Sequence, residues 1–235
     1  MEAIILAGGL GSRLKAAVPD VPKPMAPING RPFLEYLLDY WVGQGVDRFV
    51  LSVGHKREII EEHFAVRYKG IEVDYAVEDR PRGTGGGLLL ALKHLRQSGA
   101  FLILNGDTFF EVDLALMRRY HQDRHAEVTI ALREVEANSR YASVKIDNDG
   151  MITAFDNRAR TTGRALINGG VYLAESTAFA GMLPESDGPV SIEDHLYPGM
   201  LAAGGRIYGF PSHGRFIDIG IPEDYRRAAA MLPGA

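Results

Sequence analysis

The stretch that most constrains the fold is at the N-terminus, where an apolar run, Ala3–Ala7, passes without a break into Gly8-Gly9-Leu10-Gly11-Ser12-Arg13-Leu14. A run this short, partly β-branched and stopped by glycine, reads as a buried strand. Three glycines at a strand end leave a line of backbone N–H groups with no side chains in front of them, and such groups converge readily on an anion such as phosphate. Arg13 adds a donor fork, and Lys23 adds a point charge stiffened by Pro22 and Pro24. Taken alone, the loop has a plainer reading as a tight turn with solvated charges. Two other glycine motifs fit poorly. A P-loop closes on Gly-Lys-Ser/Thr, where this chain has Gly11-Ser12-Arg13. A dinucleotide fingerprint needs glycine in place of Leu14 and an acidic residue after the second strand, which runs out into Val53-Gly54-His55-Lys56.

Downstream, apolar residues at 33, 34, 37, 38, 41 and 42 predict a helix over Arg31–Val42, with Trp41 on its core face. Strands are predicted at Arg48–Val53, Ile71–Val77 and Phe101–Leu104, and helices at His55–Tyr68 and from Gly83 to about Arg96. Strands alternating with helices imply right-handed crossovers and a mostly parallel sheet, an α/β fold. Such sheets bind ligands at the carboxyl ends of their strands. The Gly8 loop, the segment from Glu78 to Gly86 and Asn105–Thr108 are all expected at those ends, so three polar loops converge on one crevice. After a helix to about His125 and a strand at Glu127–Arg133, Ala142–Asp147 and Met151–Phe155 flank Asn148-Asp149-Gly150, a hairpin pattern. The order has changed there from βαβ to antiparallel, which reads as a lobe within a single domain spanning 1–235. Arg158–Arg164 reads as a basic surface loop, and strand Ile167–Leu173 lacks side chains at Gly169-Gly170, where a bulge or a close approach is expected. Ser191–Ala203 is helical with Ser191-x-Glu193-Asp194 as a partial cap, Ile207–Phe210 and Phe216–Ile219 are short strands, and Pro222 opens a last helix.

Composition removes whole classes of function. A net charge of −4 argues against a nucleic-acid surface, so an anion site must be a local cluster such as Arg13, Lys15 and Lys23. There are no cysteines, hence no disulfides and no thiolate metal site. Neither a signal peptide nor an 18-residue apolar stretch is present, so no membrane association is expected and the cytoplasm is the default location. His121 and His125 have a metal-compatible spacing, but with no third ligand and with Asp123 and Arg124 beside them a solvated face is expected. Asp107 directly follows a buried strand, where a carboxylate sees little water and suits a divalent cation; a helix N-cap, with Thr108 or Asp113 opening the next helix, is the plainer reading.

The whole of Leu6-Ala7-Gly8-Gly9-x-Gly11-Ser12-Arg13-Leu14, with Pro22-Lys23-Pro24-Met25 after it, resembles the signature of the sugar-1-phosphate nucleotidyltransferases, and the likeness runs on to Tyr225. Pro27–Trp41 is most similar to the D-glycero-α-D-manno-heptose 1-phosphate guanylyltransferase branch. The resemblance implies a Rossmann-like, mostly parallel sheet with helices on both faces, and places the small antiparallel lobe on the sugar side. It implies catalytic roles for Arg13, Lys23 and Asp107, and nucleotide binding by Leu6, Ala7, Gly8, Gly9, Gly11, Ser12, Arg13, Glu78, Gly83 and Thr84. Asn105, Gly106, Asn168, Gly169, Gly170, Glu175 and Glu193 would meet the sugar phosphate, and Asp107 and Asp218 would hold Mg²⁺.

The implied partners are GTP and a sugar 1-phosphate, with a homodimer as a further expectation and no additional β-helical or acetyltransferase domain. A uridylyl- or thymidylyltransferase acting on a hexose 1-phosphate is the alternative enzyme. A non-catalytic nucleotide-sugar-binding regulator is the alternative of another class, disfavoured because Arg13, Lys23, Asp107 and Asp218 are all present. Glu78 is a candidate for guanine selection: a carboxylate accepts from the adjacent N1–H and N2–H₂ donors and is repelled by the carbonyl oxygens of uracil or thymine. Its plainer reading is a surface glutamate paired with Arg80 or Arg82.

Overall fold

In the computed structural model, which describes residues 1–11, 13–14, 17–136, 141–156, 163–182 and 188–232, the opening apolar run is strand β1 (Glu2–Leu6). A two-residue pair, β2 (Pro27–Ile28) with β3 (Arg31–Pro32), turns the chain into α1 (Phe33–Gly43). Then come β4 (Arg48–Val53), α2 (Arg57–Phe64), β5 (Arg67–Tyr68), β6 (Ile71–Val77) and α3 (Gly83–Ala91). β7 (Ala100–Asn105), β8 (Thr108–Phe110), α4 (Leu114–Asp123) and β9 (Val128–Glu136) lead to a hairpin of β10 (Ser143–Ile146) and β11 (Ile152–Asp156). The long β12 (Arg164–Glu175), α5 (Tyr197–Ala202), β13 (Ile207–Ser212), β14 (Phe216–Asp218) and α6 (Pro222–Met231) complete the order.

β7, β1, β4 and β6 pair in parallel and form the heart of the sheet. β12 joins β7 antiparallel and itself carries β9 and β10 antiparallel, the antiparallel lobe expected from the change in element order. Alternate side chains of β1 enter two cores. Ala3 and Ile5 pack with Leu34, Leu37 and Trp41 of α1, while Ile4 packs with Leu88 of α3 and Tyr197 of α5. With both faces covered, the central strands are apolar at nearly every position, which is why they read as continuous runs and not as alternation.

Element boundaries depart from expectation where side chains outside the element intervene. α3 gives way to a 3₁₀ turn at Leu92–His94 instead of reaching Arg96, because the Glu2 carboxylate takes the Arg96 and Gln97 N–H groups at 2.9 and 2.7 Å. α2 stops at Phe64, since Ala65 adopts φ +46° and Arg67–Tyr68 pairs with β6. Thr108 belongs to a strand, and Asp113 is the cap of α4, its side chain accepting from Leu116 N at 2.9 Å. Ser191 caps as expected, accepting from Asp194 N at 3.1 Å.

The expected solvated face for His121 is a correction. Leu114, Met117 and His121 form the inward stripe of α4, and His121 is 2% exposed between Thr129 Oγ1 at 2.8 Å and Glu175 Oε1 at 3.3 Å. Burial holds its imidazole below the usual pKa, although the Glu175 carboxylate pulls the other way. His125 lies beyond the helix end at φ +47° and is exposed. Of the basic loop expected at 158–164, positions 158–162 lie outside the described residues, as do Ser12 and Lys15.

Candidate active site

Because β1, β4, β6 and β7 run the same way, Leu6, Val53, Val77 and Asn105 end on one edge of the sheet. The segments leaving that edge enclose a crevice of about 410 Å³. Leu6, Ala7, Gly8, Gly9, Gly11, Arg13, Lys23, Glu78, Gly83, Thr84, Asn105 and Asp107 all line it. The three expected loops therefore do meet. Leu10 and Pro81 of the expected loops also face the crevice, and so do Ser52, Gly87, Pro189 and Gly220, which sequence reasoning missed. For Ser52 a signal existed, since it is a lone hydroxyl near the end of a strand assigned to that edge.

The glycine loop does not lead straight into a helix. Gly11 takes φ +60°, a conformation glycine reaches without strain, and its carbonyl accepts from Leu14 N at 3.0 Å. The turn delivers the chain to Lys23, the first residue of a 3₁₀ turn that ends at Met25.

Asp107 and Asp218 are far apart in sequence and are brought together by pairing of β8 with β14. Thr108 stands opposite Asp218, and Ile219 N donates to Asp107 O at 3.0 Å. The Lys23 ammonium bonds Asp107 Oδ2 and lies 3.8 Å from Asp218 Oδ1, with its side chain only 11% exposed. Thr108 Oγ1 also donates to Asp107 at 3.2 Å, and Asp218 accepts from Gly220 N at 2.6 Å and Tyr141 O–H at 3.4 Å.

Two carboxylates converging on one cationic group form a hard-oxygen donor set that fits Mg²⁺, an ion usually held by one or two carboxylates with phosphate oxygens and water completing its shell. Among the described residues no cluster of three or more His, Cys, Asp or Glu side chains offers an all-protein metal cage. The residues present therefore suit an ion shared with a phosphate.

On the other side of Asn105 lies a half-buried polar knot. Asn168 Nδ2 donates to Glu193 Oε1 at 2.7 Å and to Tyr172 Oη at 2.8 Å, while its Oδ1 accepts from Gly170 N at 2.9 Å. The Asn168 amide is thus spent on its neighbours. A Cβ on Gly169 would come 2.4 Å from the Phe110 ring, and one on Gly170 2.9 Å from Asn105 Nδ2. The close approach foreseen at these glycines is made by the protein's own side chains, and the register shift between Asn168 and Tyr172 is the accompanying bulge. Gly106 is packed on β1, where a Cβ would lie 2.7 Å from Leu6 O.

Glu193 is raised above the usual carboxylate range, first by burial and then by the charges of Asp194 and Asp107, against hydrogen bonds from Tyr172 and Asn168. A raised folded pKa means the native state binds more protons than the unfolded chain once pH exceeds about 4.5. Wild-type stability therefore falls as pH climbs from there through the folded pKa, then levels. Glu193→Gln retains an acceptor for Asn168 and lacks the titration, so thermal melts across pH 4–8 should show the variant gaining on wild type over that rise. A difference independent of pH would remove the buried carboxylate as its cause.

Glu175 is a second correction. β12 runs antiparallel to β7, so a residue beyond Gly170 moves away from the crevice, and Glu175 pairs with Ala100 at the far end of the sheet. There it faces His121, and the structure does not bring it to the site. Glu78 is inside the crevice, accepting from Ser52 Oγ at 3.2 Å and from the Arg82 backbone N–H at 3.0 Å. No helix among the described residues is long and apolar enough to cross a membrane.

A nucleotidyl transferase family model matches residues 2–233. The chain is 44% identical over 234 residues to the D-glycero-alpha-D-manno-heptose 1-phosphate guanylyltransferase of Aneurinibacillus thermoaerophilus, covering 99% of this chain and 98% of that one. It is 37% identical over 225 residues to the protein of the same name from Campylobacter jejuni, covering 96% and 97%. The crystal structure of HddC from Yersinia pseudotuberculosis complexed with GMP-PN superposes with a TM-score of 0.84 at 35% identity, over 97% of this chain and 98% of that one.

Proposed function

The chain belongs to the nucleotidyl transferase family, and from that premise we propose that it transfers GMP from GTP to D-glycero-α-D-manno-heptose 1-phosphate, forming a GDP-heptose and pyrophosphate. The observation that carries this reading is the meeting, in one crevice, of a glycine loop, Arg13, Lys23 and Asp107, with Asp218 3.8 Å from the Lys23 ammonium. The names borne by relatives matched over the whole chain supply the sugar and the base.

A phosphate oxygen of the sugar 1-phosphate attacks the α-phosphorus of GTP. The new O–P bond forms as the bond from the α-phosphorus to its bridging oxygen breaks, and the electron pair leaves with pyrophosphate. The attacking phosphate is already anionic near neutral pH, so no general base is required. Backbone N–H groups of residues 8–11 and the Arg13 fork hold the triphosphate at the sheet edge. Lys23 offsets negative charge as two phosphates approach, the chief requirement of phosphoryl transfer. Asp107 and Asp218 would hold Mg²⁺, which when bound neutralises phosphate oxygens. Glu78, at the opposite wall of the crevice, accepts from the guanine N1–H and N2–H₂ groups.

Pyrophosphate release, measured with GTP, ATP, CTP, UTP and dTTP against a panel of sugar 1-phosphates, is expected to be fastest for GTP with the manno-configured heptose. Higher turnover with UTP or dTTP and a hexose 1-phosphate would replace this reading by the uridylyl- or thymidylyltransferase. Binding of nucleotide sugars with no pyrophosphate from any pair would replace it by a regulator.

A further inference from the structure

We propose that Ser52 is a positioning residue for base selection, holding the Glu78 carboxylate so that it presents one acceptor from each oxygen to the nucleobase; this rests on the reading of Glu78 given above. Ser52 is the penultimate residue of β4, fully buried, and it borders the crevice. Glu78 stands just past the end of the neighbouring strand, anchored by its own N–H to Val53 O at 2.8 Å. Its two oxygens are engaged separately. Ser52 Oγ donates to Oε1 at 3.2 Å, and Arg82 N donates to Oε2 at 3.0 Å.

An ionised carboxylate has about four lone-pair sites. One donor on each oxygen leaves one site on each, a side-by-side pair that matches two adjacent N–H donors and mismatches a single N–H flanked by carbonyl oxygens. The torsion that turns a glutamate carboxylate is soft. Without a donor on Oε1, only the Arg82 N–H fixes the plane, and the pair is no longer held toward the base.

Glycines on either side fit this arrangement. A Cβ on Gly8 would lie 2.3 Å from Glu78 Oε1. One on Gly87 would lie 2.8 Å from the same oxygen and 2.7 Å from Ser52 Oγ. Gly87 is inside α3, where glycine is less favourable than alanine, so its presence there has a reason in the space that Ser52 and Glu78 occupy.

The test compares kcat/KM for GTP, ITP (which lacks the 2-amino donor) and UTP in wild type, Ser52→Ala, Gly87→Ala and Glu78→Gln. Ser52→Ala is expected to cut the GTP-over-UTP preference about tenfold, the scale of one hydrogen bond to a charged group, mainly by raising KM for GTP. The GTP-over-ITP preference should narrow with it. Gly87→Ala should lose preference in the same way, because its Cβ cannot be placed without displacing Ser52 Oγ or Glu78 Oε1, whereas a merely structural role would slow GTP and UTP alike. Ser52→Ala added to Glu78→Gln should change preference no further. The proposal is overturned if Ser52→Ala keeps the wild-type preference while Glu78→Gln loses it, or if it slows GTP and UTP in equal proportion. A Glu78→Gln enzyme with the wild-type preference overturns the reading of Glu78 and the role of Ser52 together.

Discussion

Asp107→Asn is expected to lower kcat by at least about 10²-fold at saturating GTP and sugar 1-phosphate, the scale lost when one preorganised electrostatic group is removed from a transition state. The substitution preserves the shape of the side chain and an acceptor for Thr108 Oγ1, so it removes charge and little else. The position is 36% exposed and sits at the end of β7, not in either core, so the melting temperature should shift little. Asp218→Asn should behave alike, because β8–β14 pairing places both carboxylates about the same Lys23 ammonium. The double variant should be hardly worse than either single one, as expected of groups that act as a unit. The check is a titration of turnover against Mg²⁺ concentration with parallel calorimetry. Near-normal kcat for Asp107→Asn in saturating Mg²⁺ would remove the carboxylate pair from the chemistry.

What the sequence made legible follows from how locally each feature is determined. β1 and the glycine loop are readable because a short buried strand and its stop are adjacent in the chain, and the crevice follows from the rule that parallel strands end together. The proximity of Asp107 and Asp218 has no local signature. It depends on a three-residue antiparallel pair between segments from opposite halves of the chain. Glu175 departs from expectation for a related reason: its distance from Asn168 along the chain is short, but β12 is extended and carries it the length of β7. His121 was hidden by its neighbours Asp123 and Arg124, although its spacing from Leu114 and Met117 already marked the inward face of α4. Ser52 offers only a lone hydroxyl near a strand end, a weak signal that belongs to no motif. Its meaning appears only once Glu78 of the next strand is seen against it.

Lys23→Ala carries the second large effect, and it separates two roles that a lysine near phosphates can play. The Lys23 ammonium is nearly buried, bonded to Asp107 and 3.8 Å from Asp218, and Gly220 leaves no slack on its far side, since a Cβ there would lie 3.2 Å from Nζ. A charge held this tightly is placed in advance and not recruited by the nucleotide, so its removal should lower kcat by about 10²-fold or more with a smaller change in KM for GTP. Lys23→Arg should not restore turnover: the guanidinium is larger, planar and spreads its charge, and the space beside Gly220 is cut for a compact ammonium. Removing the ammonium also leaves Asp107 and Asp218 facing one another without the cation between them, so Lys23→Ala should melt lower than wild type in EDTA. Added Mg²⁺ should raise the variant's melting temperature more than it raises that of wild type, because it replaces a lost positive charge in one case and competes with a resident one in the other. If KM for GTP rises with kcat unchanged, Lys23 is a docking residue for the nucleotide. If Mg²⁺ raises both melting temperatures equally, the ammonium and the ion do not share the carboxylates.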